Sequence, residues 1–259
     1  MMGKSRTGLW FMALVWVALL LAACRGQEDA WQRVQETGVL KVGLDPTYPP
    51  FEAADANGVF GLDVDLANAL AVDLGVQTEF VLFGYDGLYD ALATGQVDVL
   101  ISALVVAPER TKDFAYSTPY FNAGEILIVR QDEENIVRME DLHGRTLAVE
   151  LGALGHVEAT SWAKRLPTLT IVPYQTADEA LTAVTNHEAD AALVDAISGR
   201  LFLRQTDGLK RTAVPITVEP FAIVTRIADR QLLEQINRSL TALENNGQLD
   251  EITQQWLGK

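Results

Sequence analysis

Apolar positions along this chain follow two rhythms in alternation. "VLKVGL" (39–44), "QTEFVLF" (77–83) and "VDVLIS" (97–102) are short, β-branched-rich runs that predict strands. Between them, "LDVDLANALAVDLG" (62–75) and "GLYDALATG" (87–95) repeat apolar residues at helical spacing, each closed by a glycine. A second series repeats the scheme: strands "TLAVE" (146–150), "TLTIVPY" (168–174) and "ADAALVD" (189–195), with helices through "GHVEATSWAKRL" (155–166) and "ADEALTAVTNHE" (177–188). Strands alternating with helices at this spacing predict an α/β fold with parallel sheets.

The two series are joined by "PYFNAGEILIVR" (119–130) and "AVPITVEPFAIVTR" (213–226), extended passages that predict two crossings between two lobes. A chain that crosses twice must finish where it began, so the closing pair of helices, broken at "NNG" (245–247), belongs to the first lobe. The expected division is 36–120 plus 222–259 for lobe 1 and 121–221 for lobe 2, with crossings near 120–124 and 217–221. Two lobes joined by two strands make a hinged clamp.

The N-terminus changes the picture. Lys4 and Arg6 precede an unbroken apolar run that ends in small residues and Cys24, the single cysteine. A basic start, an apolar middle and a small-residue exit predict a secretory signal over 1–23. The run is short for a membrane span of about 20 residues, so an uncleaved anchor is the weaker alternative. "LAAC" (21–24) resembles a bacterial lipobox, which implies acylation of Cys24 and a place outside the cytoplasmic membrane, in the periplasm or at the cell surface; the polar stretch that follows reads as a tether over 24–35 running into a first short helix. The formal charge of −15 grows by two negative units once Lys4 and Arg6 are removed, and it argues against a nucleic-acid partner.

In open parallel sheets ligands lie beyond the carboxyl ends of strands. That rule selects Asp45 to Phe51, Phe83 to Asp86 and Ser102 to Arg110 in one lobe, and Glu150 to Gly155 and Val194-Asp195 in the other. In "LDPTYPPFE" (44–52), three prolines end the strand and stiffen a loop that carries Tyr48. Tyr48 and Tyr85 either stack on a ligand or fold into the core. Arg110, after a helix-starting Pro108, is either a carboxylate fork or the surface partner of Glu109 or Asp113. Asp195 either caps the next helix or receives an ammonium. The acids of "DVD" (63–65) suit a helix start rather than a metal, the histidines show no ligand spacing, and no phosphate loop or nucleophilic triad is present. No metal or cofactor is expected, and a binding clamp is favoured over a catalyst.

In order along the chain, "VGLDPTYPPFE", "GLDVDLANALA", "DVLISALVVAPERTKDFAYSTPY", "DLHGRTLAVELG", "ADAALVD" and "INRSLTALENNGQLDEITQQW" resemble the family 3 extracellular solute-binding proteins. The resemblance, from about residue 36 onward, implies a type II periplasmic-binding-protein fold, a monomer that takes up an amino acid and delivers it to an ABC permease. It implies that Tyr48 and Tyr85 sandwich the ligand side chain, and that the Ser102 and Ala103 backbone and Arg110 hold the α-carboxylate. Asp195 would take the ammonium, and Asp45 would lie near the far end. Departures are Val105 and Ala107, where hydroxyls are usual, and Gly152-Ala153-Leu154-Gly155 in place of a hydroxyl-rich turn. Glu150 joins Asp45 and Asp195 on the cleft side, tilting the expected ligand toward cations. Two alternatives stand beside import: a cyclohexadienyl-dehydratase-like enzyme using Glu150 as acid, and a sensing module for a separate membrane partner.

Overall fold

The computed structural model describes residues 29–258. The predicted signal segment and Cys24 lie outside the described residues. Among the described residues no helix is long and apolar enough to cross a membrane.

Two five-stranded sheets organise the chain. In the first, β1 (Val39–Leu44) pairs in parallel with β5 (Gln77–Leu82) and with β6 (Val99–Leu100). The later strand β15 (Val224–Arg226) then inserts antiparallel between β6 and β7 (Phe114–Tyr116). The second sheet repeats this plan. Here β10 (Thr146–Glu150) lies in parallel between β11 (Thr170–Tyr174) and β12 (Ala191–Asp195), while β9 (Glu125–Arg130) runs antiparallel beside β12 and β13 (Leu209–Arg211) closes the edge. The repeat visible in the apolar pattern is thus a repeat of sheet topology. Between the sheets, β8 (Phe121–Asn122) pairs with β14 (Pro220–Phe221), so the two passages between lobes run side by side.

The helices bury the faces that their periodicity marks. Helix α2 (Leu62–Leu74) buries Leu62, Leu66, Ala67 and Leu70 and ends at Gly75, whose φ of 72° is the left-handed geometry that stops a helix. It meets the long C-terminal helix α7 (Arg230–Asn245), and α8 (Gln248–Leu257) follows after Gly247 at φ 82°. The remaining helices are α1 (Ala30–Thr37), α3 (Leu88–Ala93), α4 (Leu154–Ala163), α5 (Ala177–Thr185) and α6 (Ala196–Gln205).

Several expectations need correction. The first short helix expected after the tether is α1, but it starts at Ala30, inside the span assigned to the tether, and it is docked: Ala30 and Val34 are buried, the Ala30 N–H donates to Asp229 Oδ1 at 3.0 Å, and Arg33 pairs with Asp98. Its polar composition reflects a one-sided helix, not a free linker. The third strand of the first series is two residues long, because the ladder beyond Leu100 gives way to the turn that carries Ser102 and Ala103. The stiff loop after β1 is part of a small antiparallel meander, β2 (Thr47–Tyr48), β3 (Glu52–Asp55) and β4 (Gly58–Phe60).

Candidate functional site

The stretch "LDPTYPPFE" resolves into one core aromatic and one presented aromatic. Phe51 is fully buried, edge-on to Phe121 and Phe221 at 5.3 and 5.2 Å between centroids. Burying such a ring contributes about 1.5–3 kcal/mol. Tyr48 stacks on the near side of Phe51 at 5.8 Å and remains 46% exposed. The core therefore serves as a backing plate, and Tyr48 is held out over a hollow.

That hollow has a volume of about 350 Å³. It gathers six of the expected residues: Asp45, Tyr48, Tyr85, Ser102, Ala103 and Val105. Thr47, from the selected stretch 45–51, also lines it, and Glu52, Glu219 and Phe221, which were not anticipated, complete the lining. A size within the roughly 300–1,000 Å³ of small-molecule sites, at strand ends, fits a ligand of amino-acid dimensions. Another hollow, of about 270 Å³, opens on the far side of the crossings, where Arg200 and Arg211 are matched by Glu244 and Asp250.

Beneath the floor lies a buried acid network. The Ser102 hydroxyl donates to Glu52 Oε1 at 2.8 Å and accepts the Asp45 N–H at 3.0 Å. The Ala103 N–H donates to Asp63 Oδ2 at 2.6 Å, and the Tyr120 hydroxyl donates to the same oxygen at 3.0 Å. Glu52 and Asp63 are both buried, and burial raises both carboxyls above their ordinary range, Glu52 the further of the two. Two acids this close in a dry site share a proton, with Glu52 the neutral member. Asp63 is consequently more than a helix-start charge, because it fixes Ala103 at φ 46°, a left-handed geometry that alanine rarely adopts. The Ala103 amide is committed inward, so it is not the carboxylate donor expected of it.

Arg110 also departs from expectation. It ends a short 3₁₀ turn at Pro108–Arg110, is exposed, and lies over the Tyr89 ring at 4.1 Å from the centroid rather than lining the hollow. Such stacking is worth about 0.5–1 kcal/mol at a wet surface, weak enough for the guanidinium to be redirected. Val105 lies against the return crossing, bridged to Phe221, with the Val106 N–H donating to the Pro220 carbonyl at 3.2 Å.

Across the gap, Asp195 plays the capping role. Its Oδ1 accepts the N–H groups of Ile197 and Ser198 at 3.0 and 2.9 Å, opening α6, while Oδ2 takes no part in the cap. Glu150 is half-buried at the end of β10, and Leu154, which starts α4, is 66% exposed. Neither these two nor Asp195 lines the hollow. The walls nevertheless face one another: the Tyr48 hydroxyl is pushed up by burial first, and then by the negative charges of Asp195, Glu219 and Glu52. Glu219 and Glu125, both at the crossings, are acids that sequence reasoning missed. The signal was adjacency, since "VEPF" and "AGE" flank the two passages between lobes. Among the described residues no cluster of three or more metal-type ligands occurs.

Known proteins place this geometry. The arginine-binding extracellular protein ArtP of Bacillus subtilis is 27% identical over 252 residues, covering 93% of this chain and 97% of that protein. The L-cystine solute receptor of Neisseria gonorrhoeae, in an unliganded open conformation, superposes with a TM-score of 0.77 at 26% identity over 90% of this chain and 98% of its own. An ancestral cyclohexadienyl dehydratase superposes at 0.78 with 26% identity, over 91% and 99%. The model of the bacterial extracellular solute-binding proteins, family 3, matches residues 40–259, and the chain belongs to that family, with its type II periplasmic-binding-protein fold.

Proposed function

We propose that this protein is the lipid-anchored receptor of an ABC importer, closing its cleft on an amino acid with a cationic side chain. The family is extracytoplasmic and delivers amino acids to permeases; the anchor through Cys24, the cleavage after residue 23 and the monomeric state are part of the proposal. So is the division into 36–120 plus 222–259 and 121–221, which the pairing of β8 with β14 supports. The observation that carries the ligand class is the sign of the cleft. Asp45 and Glu219 line the hollow, Asp195 faces Tyr48 across it, and Glu125 and Glu150 stand on the same side as Asp195.

The exposed lips describe an open clamp. Tyr85 is 64% exposed on one side, and Leu154 and Leu151 are 66% and 52% exposed on the other. A ligand touching both walls stabilises the closed form through its differential affinity and shifts the population toward it. In that motion Arg110 leaves Tyr89 for the ligand carboxylate, and Asp195 Oδ2 takes the ammonium. The crossings suit a hinge. Asn122 Oδ1 accepts the N–H groups of Gly124 and Glu219 at 3.2 and 2.7 Å, and a β-carbon on Gly124 would collide with the Thr217 carbonyl.

A thermal-shift panel of amino acids tests the reading. L-arginine, L-lysine or L-ornithine is expected to raise the melting temperature most, and Arg110→Ala to abolish the shift. A panel in which only acidic or apolar compounds stabilise the protein refutes it. The similarity to an ancestral dehydratase keeps an enzymatic reading in view, with Glu150 as proton donor. Glu150 stands outside the hollow's lining, and we infer that the protein is not an enzyme; aromatic product from prephenate or arogenate would overturn that.

A further inference from the structure

Glu125 opens β9 directly opposite Asp195 in the antiparallel ladder. It is only 4% exposed, and its Oε2 has no hydrogen-bond partner among the described residues. Its backbone is spoken for: the N–H donates to Thr217 Oγ1 at 2.8 Å, and the carbonyl accepts the Ile216 N–H at 2.7 Å. The carboxyl is wedged against the first turn of α4, where a β-carbon on Gly155 would sit 2.7 Å from Oε2. Glycine at 155 is therefore what admits this acid.

The charges around it come from three elements and share one sign. Asp195 faces it from β12, Glu219 from the return crossing and Glu150 from the end of β10, while the Gly155 backbone N–H pulls the other way. Tyr48, from the opposite wall, feels two of these acids, Asp195 and Glu219. Buried carboxylates lacking a partner are costly, so on the acid side of neutrality the group keeps its proton until a cation arrives. We propose that Glu125 is a second acidic member of the amine subsite beside Asp195, and that it surrenders its proton to solvent when a cationic amine occupies the cleft.

The exchange balances. One O–H bond breaks, one proton leaves, and one already protonated amine takes its place, so the net charge of the site is unchanged. Burial, followed by the Asp195 charge, pushes the Glu125 carboxyl up to about 7, which puts the exchange within the physiological range. The inference rests on the cationic-amine reading of the cleft, and it adds a sign. Affinity for a cationic amino acid rises with pH as Glu125 ionises, by about tenfold from pH 6 to pH 8, then levels off. Stability of the unliganded protein moves the opposite way. A carboxyl whose folded pKa is raised stabilises below its unfolded pKa, and that contribution fades as pH climbs through about 7.

Calorimetry with L-arginine at pH 6, 7 and 8, in phosphate and in Tris, measures the proton count directly. We expect release of nearly one proton at pH 6 and almost none at pH 8, with both the release and the pH dependence absent in Glu125→Gln. Binding with equal heats in both buffers at pH 6, or a variant that keeps the tenfold change, overturns the proposal. If L-arginine gives no heat at any pH, the ligand reading fails, and unliganded protein decides on Glu125. The wild type should then lose melting temperature relative to Glu125→Gln between pH 6 and 8, and parallel curves overturn it. Should the variant not fold, infrared spectroscopy of the wild type decides instead. The protonated-carboxyl absorption should lose the Glu125 share on adding L-arginine at pH 6.5, leaving that of Glu52, and an unchanged spectrum refutes the proposal.

Discussion

Each wall of the cleft hides an acid pair, and the two pairs are built on opposite terms. Ser102 donates to Glu52, and Ala103 and Tyr120 donate to Asp63; the other oxygen of each acid meets no further donor and relies on the proton the two share. They divide one proton and form part of the scaffold, holding the backbone of 102–103 in its turn. Asp195 is met by the two helix-cap donors, Glu125 has only the Gly155 N–H beside it, and Glu125 Oε2 has no hydrogen-bond partner among the described residues. The comparison teaches that a buried carboxyl is structural when its spare oxygen shares a proton with a neighbouring acid, and functional when no such neighbour takes that proton.

The contrast can be broken at three points. Asp63→Ala should cost the most, about 3 kcal/mol in urea unfolding, because the Ala103 amide and Tyr120 hydroxyl are left buried without an acceptor. Glu125→Ala removes an oxygen that bonds to nothing and should cost less; equal losses would erase the distinction. Next comes pH. Glu52 has a raised folded pKa, so its contribution is complete below the ordinary glutamate range and is lost as pH rises above it. Glu52→Gln keeps an N–H for Asp63 and should flatten the wild-type decline, on the order of 1 kcal/mol per pH unit between pH 5 and 8. Matching slopes would mean that Glu52 is ionised in the fold. Smallest is Ser102→Ala, about 1 kcal/mol, since Asp45 and Glu52 each lose one bond to the hydroxyl. A loss as large as that of Asp63→Ala would make Ser102 the keystone instead.

Much of this was readable from residues. Strand and helix rhythms gave both series, and the strand-end rule led to six residues of the hollow, because backbone topology alone determines where those ends converge. Side-chain allegiance was less legible. Asp63 and Glu52 are 11 positions apart and looked like a helix start and a loop end; the meander between them brings both under the floor. Arg110 has the expected neighbours in sequence, yet Tyr89, the second residue of α3, offers it a ring that local sequence does not reveal. Glu125 and Glu219 escaped notice because crossings were read for connectivity, whereas in three dimensions they run beside the strand ends of both lobes.

The placement of β15 inside the first sheet has a consequence for how the molecule is made. That sheet stays split until residue 226 has emerged, since β15 fills the space between β6 and β7. The second sheet draws all its strands from 125–211 and is complete first. During synthesis or translocation the inserted half therefore matures ahead of the half that begins the chain. The earlier residues wait, with strand edges unpaired, for a partner that arrives last.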